Sequence, residues 1–391
     1  MRKLMLEQRK RVEELISSIR EEKNGFKLGK PWRHSDKSLT CVVPILKLTS
    51  DDERGYITIT EAKKISITDT GRIDEARIKN NEDMPIFLRL GEILAGGTQE
   101  RAITSSRIIF PGEEVTIPVA CIHLSKGIQK GAEFHFSGYA SHKDYSYLRN
   151  THDFGEANQQ ESWNLDNTYV TYANTVLNKH GFETSNNPNP NTNPNTTSDE
   201  TWQQYVSPQD SSSNNDPNYF WDDRTYPTGS PQDSIPPNSP HVVRTQQLGY
   251  YQVLEYKDDL TTKHNEVNEL LADIIKKVPL FEDQIGLALI DPEGFKCLDC
   301  YDVKLSYKAI KEALVGKETA AIADTDEENV FEYKPEVAKK AINKVLDNSF
   351  VENVVHEHKN CKTITLDLEG YMGEAVLLDN KVVHLVITRK D

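Results

Sequence analysis

The sequence predicts an α+β protein: first a mainly antiparallel β-sandwich or layered sheet, then β-hairpins packed with helices. Three observations lead there. Between 39 and 123, short apolar runs are punctuated by turn signals such as Thr70-Gly71, Asn80-Asn81 and Pro111-Gly112, the rhythm of consecutive strands. Near the C-terminus, Gly286-Leu287-Ala288-Leu289-Ile290-Asp291 followed by Phe295-Lys296-Cys297-Leu298 resembles Gly373-Glu374-Ala375-Val376-Leu377-Leu378-Asp379 followed by Val382-Val383-His384-Leu385. Each unit reads as strand, Asp-led turn and strand, an internal repeat. Other segments space their apolar residues for helices.

Residues 1–24 form an amphipathic helix in this reading. Met5, Val12 and Ile19 recur every seven residues with Leu15 and Ile16 between them, and Asn24-Gly25 is a stop signal,. Such a stripe docks on its own domain or serves self-association. Strands are expected at Leu39 to Leu48, Tyr56 to Ile59, Ile65 to Ile67, Ala76 to Lys79 and Ile86 to Leu90, then a hairpin from Ala102 to Cys121. Helices at 156–177 and 251–278 flank an insertion, 181–240. It holds ten of the eighteen prolines, no Lys and one Arg, Arg224. That composition cannot bury enough apolar surface to offset its ordering entropy, so disorder is expected. Its Trp202, Tyr205, Tyr219, Phe220, Trp221 and Tyr226 read either as aromatics of a tolerated loop insertion, the favoured reading, or as a partner-binding motif,. Helices at Val303 to Val315 and Pro335 to Asp347, joined by an acidic linker, lie between the C-terminal hairpins. The division is therefore 1–36 helix and linker, 37–180 β-rich part with its following helix, 181–240 insertion, and 241–391 α+β part.

A net charge of −15 over 391 residues argues against a nucleic-acid or anionic-membrane surface,. No apolar run approaches the roughly 20 residues of a membrane span. The opening residues lack a signal-peptide core, so a cytoplasmic location is expected. Five cysteines, an odd number, suit reduced thiols,. Cys297 and Cys300 have C-x-x-C spacing, but zinc would need two more ligands and redox work a helix start, so both read as packed strand residues. No metal is expected, and no cofactor is indicated.

Chemistry concentrates between Gly91 and His123. A Gly-rich bend leads to Gln99, Glu100 and Arg101, with Cys121 and His123 at the far end of the hairpin. A two-residue turn would pair Ala102 with Cys121 and Glu100 with His123; a three-residue turn exchanges the faces. Arg101 and Gln99 suit a phosphate or carboxylate, Arg by its two-pronged fork; an ion pair of Arg101 with Glu92 or Glu100 is the structural alternative. Cys121 with His123 and an acidic residue would offer nucleophile and base. However, Cys121 alternates with Val115, Ile117 and Val119 like a core residue. Asp299 is a further weak acid/base candidate, and Asp302 reads as a helix cap.

The pattern Gly91-Glu92, Gly96, Gln99, Arg101, Ile117-Pro118-Val119 and Cys121 resembles the ARG- and rhodanese-phosphatase-associated protein domain, a prokaryotic domain of unknown function. Gln160 with Trp163, Gln284 with Gly286, Leu298-Asp299 with Asp302, and Gly373 to Leu385 extend the similarity over about 40 to 391. Thr98, Glu100 and His123 depart from the usual Lys, Asn and Glu. The resemblance implies an uncharacterised domain of a prokaryotic stress or conflict system. The expected role is binding a small anionic ligand, nucleotide- or ADP-ribose-related, through Glu92, Gln99, Glu100 and Arg101. A hydrolase or transferase using Cys121, His123 and acidic residues, and a protein-interaction scaffold, are the alternatives, so whether the protein is an enzyme stays open.

Overall fold

The N-terminal stripe folds as expected, into helix α1 (Arg2–Glu21). Val12, Ile16 and Ile19 share one face and are buried with Val43, Ile285 and Leu298 of a β-sheet,. Each such burial is worth roughly 1.5–3 kcal/mol, so the helix docks on its own chain. The computed structural model describes residues 2–35, 38, 40–49, 53–96, 101–121, 130–140, 148, 245–248, 251–254, 272–316, 318, 322 and 334–390. The helix expected at 156–177 and the insertion 181–240 lie outside these residues.

The sheet has eight antiparallel strands. Their order is β1 (Phe26–Leu28), β2 (Cys41–Lys47), β14 (Gln284–Asp291), β15 (Gly294–Tyr301), β19 (Lys381–Arg389), β18 (Tyr371–Leu378), β17 (Cys361–Leu368) and β16 (Phe350–His358). Its inner strands, such as β14 and β19, read as nearly unbroken apolar runs because both faces are covered,. One face packs on α1 and on α3 (Pro335–Leu346). The other packs on α2 (Lys304–Gly316) through Tyr307, Ile310 and Leu314, and on Tyr56, Phe87 and Tyr139 from the chain between β2 and β14.

That intervening chain forms a closed six-stranded barrel instead of the expected sandwich. Its order is β10 (Glu114–Cys121), β5 (Glu75–Asn80), β4 (Ile65–Asp69), β11 (Glu133–Tyr139), β7 (Glu92–Gly96) and β8 (Arg101–Ile103). Ile67, Ile78, Leu94, Ile103, Ile117, Val119 and Phe134 belong to its core. The expected hairpin is split: β9 (Arg107–Ile109) leaves β10 to pair with β6 (Ile86–Leu88), which pairs in parallel with β3 (Ile57–Thr58). β10 pairs first with β5, up to Pro118, then with β8. Pro118, which cannot donate to a ladder, stands at the handover. Ala102 faces Ala120 and Arg101 faces Cys121, one residue away from the two-residue-turn register. The helix expected from Tyr251 begins instead as a strand: β12 (Thr245–Leu248) and β13 (Tyr251–Leu254) form a hairpin, and 272–277 are helical.

The internal repeat proves larger than the sequence suggested. In β14–β15, Gly286 faces Cys300; in β18–β19, Gly373 faces Ile387. A Cβ on Gly286 would strike the Asp299 carbonyl, and one on Gly373 would lie 2.6 Å from the Val386 carbonyl. Both hairpins carry a bulge at the equivalent step, Leu289/Ile290 and Val376/Leu377. Before them, Val43 faces Ala288 and Ile364 faces Ala375. The helices match as well: buried Val12, Ile16 and Ile19 have the spacing of buried Ala338, Ile342 and Val345. Asn24-Gly25-Phe26 and Asn348-Ser349-Phe350 then lead into β1 and β16. Each half is thus a helix and four antiparallel strands, and the barrel is inserted into the first half. The paired residues Asp299 and Val386 lie at the centre of this pseudo-symmetry.

Candidate functional site

Where the barrel meets the sheet, ionisable side chains are fully buried. Arg89 enters from the bend between β6 and β7, a bend turned by Gly91 at φ 82°. Its guanidinium is 0% exposed and contacts the Asp299 carboxylate; Nη1 donates to the Leu90 carbonyl at 3.0 Å. The guanidinium carbon sits 4.9 Å from the centre of the Tyr139 ring, a cation–π contact. The second Asp299 oxygen lies 3.0 Å from His384 Nε2. The imidazole packs against Tyr301 and Phe87 at 4.7 and 5.2 Å between ring centres.

The bulge explains why His384 is there. It places Val383 and His384 on the same, barrel-facing side of β19, whereas Val382 and Leu385 face the helices,. The symmetry-related positions are Cys297 for His384, Val386 for Asp299 and Thr388 for Tyr301. Asp299 and Tyr301 thus come from the first half and His384 from the second, and neither half repeats the other's acid, phenol or imidazole.

Glu92 completes the cluster. The Tyr139 hydroxyl donates to its Oε1 at 3.4 Å, while Oε2 is buried without a hydrogen-bond partner among the described residues. Burial pushes its carboxyl up to about 8, and nearby Arg89 only partly opposes this,. At neutral pH Glu92 is therefore mostly protonated and can donate. The Tyr301 hydroxyl is likewise buried without a partner among the described residues. Burial raises it well above the usual phenol range, and it feels the charges of Arg89, Asp299 and Glu92.

The raised carboxyl has a measurable consequence. Its ordinary value is near 4.5, so between about 4.5 and 8 the folded protein holds a proton that the unfolded chain has released,. The stabilising contribution is complete below 4.5 and is lost as pH rises through 8, with a slope of up to about 1.4 kcal/mol per pH unit. Glu92→Gln should flatten this part of the stability–pH curve in urea titrations; an unchanged slope would assign it to other groups.

Gln99, Glu100 and His123 lie outside the described residues. Cys121 ends β10 opposite Arg101. Arg101 alternates with Ile103 into the barrel, is 0% exposed, and lies 3.6 Å from Asp69. Asp69 is a partner distant in sequence, whereas the local candidates considered above were Glu92 and Glu100, the latter outside the described residues. Gly96, at φ 105°, admits the Glu133 carbonyl 2.6 Å from where a Cβ would stand. Cys297 and Cys300 are reduced and buried in cores on opposite faces of the sheet, so they cannot act as a pair. Asp302 accepts from Tyr56 at 2.7 Å and meets Lys381 at 2.9 Å, a role beyond capping. Arg89, Tyr139, Tyr301 and His384 were missed. Their signal was a polar residue inside an apolar strand run.

The fold and cluster define an α+β protein with a β-barrel set into a duplicated antiparallel sheet and a buried ionic cluster between them. Residues 25–167 match the family model of the ARG and Rhodanese-Phosphatase-superfamily-associated Protein domain, the family that the Gly91–Cys121 motif resembles. The match spans β1 to β11; the C-terminal similarities, Asp299 and Gly373 among them, lie beyond it. Neither curated proteins nor solved structures provide a match. Among the described residues no helix is long and apolar enough to cross a membrane.

Proposed function

We propose that the protein binds a small oxygen-rich anion where the inserted barrel meets the duplicated sheet, against Arg89, Glu92 and Tyr301. One observation supports this most. Two buried O–H groups, the protonated Glu92 carboxyl and the Tyr301 phenol, have no acceptor among the described residues. Buried polar groups ordinarily have partners, and donors beside a guanidinium suit a carboxylate or phosphate. The finer identity, a nucleotide- or ADP-ribose-related ligand, rests on the family's named associations alone. Gln99 and Glu100 stay in the proposal as motif residues, and Arg101 enters it with its charge turned toward Asp69. The catalytic alternative gains less support, since both Asp299 oxygens are engaged.

Thermal-shift screening of nucleotides, ADP-ribose, sugar phosphates and simple carboxylates tests the reading. A ligand at a hundred times its Kd should stabilise by about 2.7 kcal/mol, a shift of several degrees. Tyr301→Phe keeps the ring and removes one donor. It should abolish the shift while leaving the unliganded midpoint unchanged or higher. A full shift in both Tyr301→Phe and Glu92→Gln, or none with any of these classes, would remove the proposal.

A further inference from the structure

A second basic cluster lies where β9 meets the β16–β17 hairpin, and the buried site does not use it. Thr363 Oγ1 donates to the Ser106 carbonyl at 2.6 Å, fastening β9 to β17. Across the ladder Thr363 faces His356. This brings the next residue of β9, Arg107, beside that imidazole. Arg107 is only 8% exposed, and it makes no hydrogen bond or ion pair among the described residues; its Nε is buried without a partner. A guanidinium so placed calls for an explanation.

The surrounding groups are accounted for. His358 Nε2 lies 2.8 Å from Glu113, which also meets Lys359 and accepts from the Phe110 N–H at 2.9 Å. Glu374, from β18, accepts from the Ser106 N–H at 3.2 Å. Neither carboxylate forms an ion pair with Arg107. The Cys361 thiol is pushed by burial up to about 12 and stays neutral. The His356 and His358 rings are 6.4 Å apart. Burial first, then the Arg107 charge, depresses His356 to about 4, while Glu113 opposes weakly. His358 and Lys359 are 44% and 49% exposed, so the cluster opens to solvent.

We infer that this cluster is a binding site for a phosphate-bearing small molecule, with the phosphate seated between Arg107 and His356 and Lys359 at the rim. An arginine fork and an imidazole donor match a tetrahedral oxyanion, and the anion supplies a counter-charge in direct contact, where Glu374 acts on Arg107 only from beyond ion-pair distance,. The inference does not depend on the buried Glu92–Tyr301 site.

Inorganic phosphate is the probe. In the full chain, histidine NMR titration should show the apparent pKa of His356 rising from about 4 toward the ordinary imidazole range when phosphate is present,. Calorimetry should show phosphate binding that Arg107→Gln weakens by about tenfold or more. Lys359→Ala, a change at an exposed side chain, should weaken it severalfold without altering the melting point, which keeps the test decisive if Arg107→Gln does not fold. Equal His356 shifts with chloride at matched ionic strength, or undiminished phosphate affinity in Lys359→Ala, would overturn the site.

Discussion

Arg89→Ala is expected to lower the stability of the protein by about 3–5 kcal/mol, because it leaves the Asp299 carboxylate buried without its cation. Both side chains are 0% exposed, so water cannot replace the lost partner. His384 would remain beside Asp299, at 3.0 Å. Replacing both partners by apolar residues, Arg89→Met with Asp299→Leu, should recover much of the loss, since a buried ion pair seldom outweighs its own desolvation. Urea denaturation of the two variants measures this directly. A loss below about 1 kcal/mol for Arg89→Ala, the range of an exposed pair, would show that water reaches the cluster.

Arg101→Ala should be comparably damaging, by about 3–5 kcal/mol. The ligand-binding reading of the sequence expects the opposite outcome, an intact fold that no longer responds to anions, whereas the ion-pair alternative expects a loss of stability. In the structure Asp69 lies 3.6 Å away inside the barrel, and both side chains are fully buried. Asp69 Oδ1 also accepts from the Gly71 N–H at 2.7 Å, so the unpaired carboxylate would stay fixed in place. An Arg101→Ala protein that melts with the wild type but loses anion-dependent stabilisation would support the ligand-binding role of Arg101.

Periodicity made much of the fold legible. The stripe of Val12, Ile16 and Ile19, the runs around Ile67, Ile78 and Phe87, and the helices at 304–316 and 335–346 needed only local sequence. β16 and β17 were less legible: Phe350 to His358 mixes Val with Glu, Asn and His, as suits a strand at the sheet edge,. β7 was hidden because Gly91 and Gly96 bracket it and read as a bend. The Gly91–Cys121 motif indicated a family, and its glycines have physical reasons in the bend at Gly91 and the close approach of Glu133 to Gly96. Glu92 was legible from that motif, and Asp299 from the Leu298-Asp299 and Asp302 similarity and its carboxyl chemistry.

By itself the sequence determined the helices at 1–24, 304–316 and 335–346, most of the early strands, the repeated hairpins, and the family resemblance, because these depend on spacing along the chain and on turn chemistry. Only the tertiary structure decided that the first strands close into a barrel, that the repeat includes α1 and α3, and that Arg89 meets Asp299 and His384. Those contacts join residues tens to hundreds of positions apart. Their energies come from burial, which excludes water from charges that would otherwise be solvated, and no local pattern encodes which distant strand will supply the partner.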